Sequence, residues 1–261
     1  MKRKSLVGQV ALVLLSVQIL MFGSFGGSNL PTATGHNLQL FLTTAAQELL
    51  PFLPQTWQQG LVDQFPSLTQ PVAPIRYSPY VPLAPLAVGL GYVLGVPLGF
   101  ISVAVFFILG LVGPNLGIFP LAAGGGLEYF RQPTFGYLIG MIFGSWFAGR
   151  ITLSPSSSLR QILAVGGGLF LIHCFGLLYL VGSCLAVLLF EGDAAYFKWQ
   201  PWLFENIRNL SWYSLPWDAA FSLAAIGLGA PLRWLVSTLT TPDATCRQRP
   251  SSVRELEPAS P

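Results

Sequence analysis

The chain has 261 residues, of which 52% are hydrophobic and only 9% are charged. Soluble domains carry about 25% charged residues, so this composition excludes a water-soluble fold and predicts an integral membrane protein. The formal net charge of +3 gives no sign of nucleic-acid binding, and the lipid bilayer is the expected surrounding.

Six apolar runs predict six transmembrane helices in an all-α fold. The runs cover residues 5–25, 80–96, 97–112, 135–153, 159–190 and 214–239. Together they predict a single six-helix membrane domain over residues 1–239. The last segment, 240–261, is polar and proline-rich, and we expect a disordered cytoplasmic tail there.

Two polar segments interrupt this pattern. Residues 28–79 are rich in proline, and their apolar part at 38–53 is too short and too polar to span, which favours an interfacial helix. We expect this insertion to lie outside the membrane after the first helix and to cover a binding site. Residues 191–213 hold Trp199, Trp202 and Trp212, and tryptophan is enriched at membrane interfaces, so this segment is predicted to lie on the surface.

The cationic residues predict the orientation of the six spans. With the N-terminus inside, nine of the 13 Lys and Arg residues fall on the cytoplasmic side. They are Lys2, Arg3, Lys4, Arg150, Arg160, Arg233, Arg247, Arg249 and Arg254. The positive-inside rule therefore favours both termini in the cytoplasm, with residues 28–79 and the segment before residue 135 facing outward.

Catalytic and metal-binding patterns are absent from the sequence. The three cysteines have no metal-ligand spacing, and the two histidines form no Ser/His/Asp arrangement with the scattered carboxylates. The glycine runs at 124–126 and 166–168 lack the Lys and Ser/Thr of a phosphate loop. We therefore expect no enzyme, no bound metal and no cofactor, and a lone His173 in an apolar run is typical of a packing residue.

The most informative stretch runs from residue 116 to residue 151. The cluster Gly124-Gly125-Gly126 has little side-chain bulk, so its backbone could lie against a ligand. In the following apolar run, small residues recur every fourth position and share one helical face, which lets another helix approach closely. These are Gly136, Gly140, Gly144 and Ala148.

This stretch resembles the BioY family, the biotin-binding subunits of energy-coupling factor (ECF) transporters. The similarity lies in Leu-Gly-Ile-Phe-Pro at 116–120, the glycine cluster, and Gln-Pro-Thr-Phe-Gly-Tyr-Leu at 132–138. Gln132 and Phe135 replace two glycines of the family pattern. Weaker matches are Ser-Pro-Tyr-Val-Pro at 78–82 and the segment 172–179, so the resemblance covers roughly residues 77–239.

The resemblance implies a multi-pass protein of the bacterial cytoplasmic membrane that binds biotin from outside. It also implies separate partners, namely a transmembrane coupling subunit and ATP-binding subunits, because this chain carries no ATPase motif. Biotin would be the transported ligand rather than a cofactor.

Asp218 is the strongest candidate for ligand binding. A carboxylate in a membrane helix costs about 2.5–3.5 kcal/mol, so it usually has a partner or a ligand. Position alone also allows a solvated residue that caps the helix start after Pro216. The resemblance favours the ligand role, since Pro216 and Asp218 match a family Pro-x-Asp-x-x-Lys motif whose Asp contacts biotin. Phe221 stands at the Lys position, so the role of that Lys is not transferred.

The other candidates would surround the rest of the ligand. Arg131 could pair with a carboxylate, although a pair with Glu128 or an interfacial anchor is the alternative. Backbone N–H groups of Gly124, Gly125 and Gly126 could bind an anion or a carbonyl. Tyr137 and Trp217 could form walls for an apolar ring, although aromatic residues in membrane helices more often pack or lie at the interface.

Three alternatives stay open at this point. The chain could bind another vitamin within the same transporter class, because Phe221 replaces the family Lys. It could be a membrane enzyme of lipid or cofactor metabolism, although paired intramembrane His and carboxylate residues are not found. It could also be a structural subunit whose small-residue face packs on a partner protein.

Overall fold

The computed structural model describes residues 6–122, 124–153, 157–191 and 202–240. Several predictions lie outside these ranges: the cationic residues Lys2, Arg3 and Lys4, the surface position of Trp199, and the disorder of the tail beyond residue 240. Within the described ranges the chain is mostly helical, as predicted.

The described fold consists of two short strands, a short helical segment at 202–207 and eight longer α-helices. The helices are α1 (Leu6–Phe25), α2 (Gly35–Leu49), α3 (Gln55–Gln64), α4 (Leu83–Leu94), α5 (Val96–Val112), α6 (Phe135–Ile151), α7 (Ser158–Glu191) and α8 (Leu215–Thr240). The strands are β1 (Ser28–Pro31) and β2 (Tyr77–Tyr80), and a π-helical turn, Arg208–Trp212, precedes α8.

Four of the described helical segments are long and apolar enough to cross a membrane. They are Leu6–Phe25, Val96–Leu116, Ser158–Phe190 and Trp202–Val236. Helix α4 has 12 residues and α6 has 17, which is below the roughly 20 residues that span the hydrocarbon core. The structure is therefore that of a helical membrane protein, and the count of six spans stays a prediction.

The small-residue face of α6 packs against α7 of the same chain. A Cβ atom on Gly140 would lie 2.7 Å from the backbone of Ile172, and one on Gly144 would lie 2.8 Å from the carbonyl oxygen of Gly168. Ala148 is fully buried. Because α7 already covers this face, the face is not free to pack on a partner protein.

Glycine also allows the tight turn between α4 and α5. Gly95 has a φ of 78°, a backbone conformation that side chains other than glycine rarely adopt, and Pro97 lies in the first turn of α5. The sequence Gly-Val-Pro-Leu-Gly at 95–99, between the second and third apolar runs, predicts a tight connection at this point, and the structure confirms it. A single residue, Gly95, therefore separates the end of α4 from the start of α5.

A small antiparallel sheet joins the two ends of the 28–79 insertion. Ser28 pairs with Tyr80 and Pro31 pairs with Tyr77. The side chain of Asn37 reinforces this base, donating to the carbonyls of Thr32 and Arg76 and accepting from the Arg76 N–H. The prediction of an all-α fold is wrong here, because the pairing partners are about fifty residues apart and leave no local pattern.

Two clusters of polar residues lie at opposite ends of the bundle. At one end, Arg233 of α8 donates to the carbonyl of Thr152, just after α6, and lies 5.0 Å from the ring centroid of Tyr92 near the end of α4. At the opposite end, the first turns of α4, α6 and α8 meet the strand β2. That second end contains the cavity described next.

Candidate functional site

A cavity of about 310 Å³ lies where the first turns of α4, α6 and α8 meet α7 and the end of β2. Its apolar lining includes Leu138, Met141 and Ile172, all of which are buried. Its lining also includes several polar side chains, among them the exposed Gln132. The volume falls within the range of small-molecule pockets, about 300–1,000 Å³.

Asp218, in the first turn of α8, is the buried carboxylate of this cavity. Its exposed fraction is only 4%. The hydroxyl of Tyr80, the last residue of β2, donates to Asp218 Oδ1 at 2.8 Å. The solvated helix cap that position alone allows is therefore excluded, and Asp218 is a buried carboxylate with a hydrogen-bonded partner.

One close polar contact and two hydrogen bonds link Asp218 to three further elements. His173 Nε2, on α7, lies 3.4 Å from Asp218 Oδ2. His173 Nδ1 lies 3.1 Å from the Ser211 hydroxyl in the π-helical turn, and that hydroxyl lies 2.7 Å from the Tyr137 hydroxyl on α6. Together with Tyr80, these residues form what we call the Asp218 network. Its five members, Tyr80, Tyr137, His173, Ser211 and Asp218, join β2, α6, α7, the π-helical turn and α8.

Tyr80 is a neutral hydrogen-bond donor in this network. Burial raises the pKa of its hydroxyl well above the usual value of about 10, and the neighbouring Asp218 carboxylate and the hydrogen bond to it raise the pKa further. A phenol under these conditions keeps its proton. It can therefore stabilise the Asp218 carboxylate by donating a hydrogen bond to it.

Two of the predicted binding residues line the cavity. Asp218 and Tyr137 both contribute to its walls. Tyr137 is buried, its hydroxyl bonds Ser211, and its ring meets the His173 ring edge-on at a centroid distance of 5.7 Å. Both residues therefore line one cavity, and their role in ligand binding stays a prediction.

The glycine loop lies beside the cavity rather than in its wall. Gly124, Gly125 and Gly126 all have φ between 75° and 96°. The N–H of Gly126 donates to the carbonyl of Gly110 on α5 at 2.8 Å, and the N–H of Gly124 donates to the carbonyl of Leu121 at 2.9 Å. The close approach that the glycines permit is therefore made to helix α5, because these two N–H groups already have backbone acceptors.

Arg131 also lies away from the cavity lining. Its side chain is exposed, with the guanidinium carbon 5.6 Å from the ring centroid of Phe130. No ion pair joins Arg131 to Glu128 within the described part of the chain. An exposed cation here keeps its hydration, which explains why it does not turn into the apolar cavity.

Trp217, which was predicted to form a wall of the site, does not line the cavity either. Its indole N–H donates to the carbonyl of Pro31 in β1 at 2.9 Å, and its ring stacks on Phe221 at 6.2 Å. It lines a small neighbouring recess rather than the cavity. The reason is its direction on α8, since the next residue, Asp218, occupies the face that turns inward.

The sequence prediction missed three members of the Asp218 network: Tyr80, His173 and Ser211. His173 had a usable signal, because an ionisable residue inside an apolar helix is a candidate functional residue. Ser211 had none, since it lies in the tryptophan-rich segment that was predicted to lie on the surface. In the structure Trp202 and Trp212 are exposed, as that prediction expects, whereas Leu203 is buried and Asn209 and Leu210 line the cavity.

The described residues contain no group of three or more His, Cys, Asp or Glu side chains that could hold a metal ion. The cavity lining likewise includes no Lys or Arg among the residues described. What the site offers a ligand is one carboxylate, one imidazole, several hydroxyl and amide groups, and apolar walls. Such a set suits an uncharged polar head with an apolar body.

Comparisons with known proteins agree with the resemblance seen in the sequence. The family model described as the BioY family matches residues 69–237, which is more than half of the chain and includes the whole Asp218 network. A curated relative, the biotin transporter BioY of Rhizobium etli, is 33% identical over 114 residues. That match covers 38% of this chain and 58% of the relative, so the chain spans little more than half of the relative's length.

One solved structure is also similar. It is the crystal structure of the S-component for biotin from an ECF-type ABC transporter, with 20% sequence identity and a TM-score of 0.44. The match covers 80% of this chain and 100% of that chain. At this TM-score the superposition does not by itself establish a common fold, so the family assignment rests on the family model.

Proposed function

Because the chain belongs to the BioY family, we propose that it captures biotin and takes it across the membrane as the substrate-binding subunit of an ECF-type transporter. Membership of this transport family also means that the chain is not an enzyme. The name of the Rhizobium etli relative, a biotin transporter, supports the choice of ligand.

The buried carboxylate of Asp218 in the wall of the cavity carries this proposal. The ureido ring of biotin presents two N–H donors, and a carboxylate accepts such donors in strong, charge-assisted hydrogen bonds. The apolar thiophane ring and the alkyl chain would lie against Leu138, Met141 and Ile172. Tyr137 would form part of the same wall.

The size of the ligand is compatible with tight binding. Biotin has about 16 heavy atoms, so nanomolar affinity needs roughly 0.8 kcal/mol per atom, below the ceiling of about 1.5 kcal/mol. A cavity of about 310 Å³ has room for a ligand of this class.

The proposal includes six spans with both termini in the cytoplasm. Arg150, Arg160 and Arg233 lie at the end of α6, the start of α7 and the last part of α8, and the direct contact of Arg233 with Thr152 brings α6 and α8 together there. The positive-inside rule would make this end cytoplasmic, so the cavity would open outward. A membrane thinned locally or tilted helices would accommodate the short α4 and α6.

The partners belong to the proposal as well. The sequence has no phosphate-binding loop, so ATP hydrolysis would come from separate ATP-binding subunits that act through a transmembrane coupling subunit. The assembly would work in the bacterial cytoplasmic membrane, with biotin as cargo and without a cofactor. Another vitamin is the second candidate, since Phe221 packs 5.6 Å from the Tyr80 ring and supplies no charge to the cavity.

The test is equilibrium binding of biotin to the purified full chain in detergent, with Asp218→Asn measured in parallel. We expect tight binding by the natural chain and at least about 100-fold weaker binding by Asp218→Asn, because an amide replaces a charged acceptor (about 3 kcal/mol). Asp63→Asn makes the same chemical change at an exposed site on α3 and should have no effect. Absence of biotin binding by the natural chain, with binding of another vitamin, would overturn the biotin assignment.

A further inference from the structure

One buried side-chain nitrogen of the cavity lining makes no hydrogen bond within the described residues. His173 is 8% exposed, and its Nε2 atom makes no hydrogen bond within the described part of the chain. The distance of 3.4 Å to Asp218 Oδ2 exceeds the usual 2.7–3.2 Å of an N–H···O hydrogen bond. Buried polar groups normally have a partner, so this atom requires an explanation.

The surroundings of His173 determine which ring nitrogen carries hydrogen. Nδ1 lies 3.1 Å from the Ser211 hydroxyl, which can receive a hydrogen bond from Tyr137 and donate its own proton to Nδ1. The opposite tautomer would turn the Nε2 lone pair toward the Asp218 carboxylate, which is repulsive. A protonated imidazole also carries hydrogen on Nε2, so Nε2–H is a donor in both favoured forms.

We propose that His173 is a second ligand-contacting residue, whose Nε2–H donates a hydrogen bond to an acceptor atom of the ligand while Asp218 accepts one from a neighbouring donor. This inference rests on the proposed function. A cyclic urea fits both groups at once, because its carbonyl oxygen stands beside its N–H groups. The ligand would thereby link α7 to α8.

Ser211 and Tyr137 are positioning residues in this arrangement. They do not need to touch the ligand, because their hydroxyl groups fix the ring orientation of His173 through Nδ1. The head group that the site selects is thus defined by two features: a donor for Asp218 and an acceptor for His173. A ligand that presents donors alone would satisfy Asp218 and leave His173 Nε2–H facing another donor.

The experiment compares biotin with 2-iminobiotin, in which a C=NH group replaces the ureido carbonyl and is protonated at neutral pH, so that it offers donors only. The readout is the ratio of the two dissociation constants for the full chain in detergent. We expect the natural chain to prefer biotin, and His173→Phe to reduce that preference by about 10- to 100-fold. His173→Gln, which returns an N–H donor near the Nε2 position, should restore part of it.

Two further variants separate a direct contact from a general loss of structure. Ser211→Ala keeps His173 but releases its orientation, and should reduce the preference by about two- to tenfold. His36→Phe changes the other histidine of the chain, which is exposed on α2, and should leave both dissociation constants unchanged.

The outcomes distinguish this inference from the proposed function. If the natural chain does not bind biotin, the proposed function fails. If it binds biotin and both His173 variants and Ser211→Ala weaken the two ligands equally, the ratio is unchanged and only the role of His173 is overturned. Should His173→Phe not fold, His173→Gln and Ser211→Ala still decide the matter by the same ratio.

Discussion

The two ends of the helical bundle bury polar groups in different ways. At one end is the Asp218 network, whose carboxylate, imidazole and hydroxyl groups surround a cavity. At the other end is what we call the Arg233 cluster, formed by Arg233, Tyr92, Thr152 and Gln161. There the Arg233 guanidinium donates to the carbonyl of Thr152 and lies over the Tyr92 ring. The Gln161 amide donates to the Tyr92 hydroxyl at 3.2 Å.

The difference separates a binding site from a structural contact. In the Arg233 cluster the guanidinium of Arg233 contacts the C-terminal end of α6, where the helix dipole favours a cation. None of the four residues of this cluster lines the cavity. In the Asp218 network the polar atoms surround the cavity. Each end leaves one donor without a hydrogen bond within the described residues, His173 Nε2 at the cavity and Arg233 Nη1 away from it. Changes at the first end should therefore act on stability, and changes at the second on ligand affinity.

Arg233→Met should have the largest effect on stability. It removes a hydrogen bond made by a charged group and the cation–π contact while keeping the apolar stem, at a cost of about 2–3 kcal/mol. Thermal unfolding in detergent should show this loss, and the biotin dissociation constant should not change. Arg131→Met removes an exposed cation and serves as the control, with both quantities expected to stay the same. A loss of affinity in Arg131→Met would instead favour a role for Arg131 in ligand binding.

Tyr80→Phe should do the opposite, with a loss of biotin affinity and little loss of stability. It removes only the hydroxyl that donates to Asp218 Oδ1, so the carboxylate loses its fixed orientation and biotin should bind about tenfold more weakly (about 1.4 kcal/mol). Binding titrations measure the affinity, and unfolding should change less than in Arg233→Met. Tyr77→Phe, at an exposed position of the same strand, is the matched control. Equal affinities for Tyr80→Phe and the natural chain would remove Tyr80 from the site.

Trp217→Phe should have a smaller and more local effect. It keeps an aromatic ring beside Phe221 but removes the N–H that donates to the Pro31 carbonyl, a contribution of about 1 kcal/mol. Hydrogen exchange should become faster in β1 and β2 and stay unchanged around the Arg233 cluster. Faster exchange throughout the bundle would show that Trp217 supports the whole fold and not only the base of the insertion.

Removal of residues 38–60 should have the smallest effect, and only on the rate of biotin release. The base of the insertion contributes Pro79 and Tyr80 to the cavity, whereas no residue of α2 or α3 lines it. Asn37 and its bonds to Thr32 and Arg76 stay in place, so the base should persist. We expect a faster release of biotin, by less than about tenfold (1.4 kcal/mol). An unchanged release rate would overturn the prediction that the insertion covers the site.

Part of the candidate site could be predicted from the sequence because rare residues stand out in an apolar chain. Asp218 was identifiable as a carboxylate near the start of a membrane helix, and Tyr137 through the resemblance around it. Arg131, Trp217 and the glycine loop were chosen because they are close in sequence to those positions. The structure directs them to Phe130, Pro31 and Gly110, since neighbours on a helix or loop point in different directions.

Local composition alone determined the apolar helices, the break at Gly95 and the small-residue face of α6, because hydropathy, backbone freedom and side-chain size act within a few residues. Tertiary packing decided the Asp218 network, whose contacts join residues far apart in the chain: 138 positions separate Tyr80 from Asp218, 74 separate Tyr137 from Ser211, and 38 separate His173 from Ser211. No short-range sequence pattern indicates contacts between residues so far apart in the chain. It arises because an apolar surrounding requires buried polar groups to find partners, and the packing of the helices determines which ones are within reach.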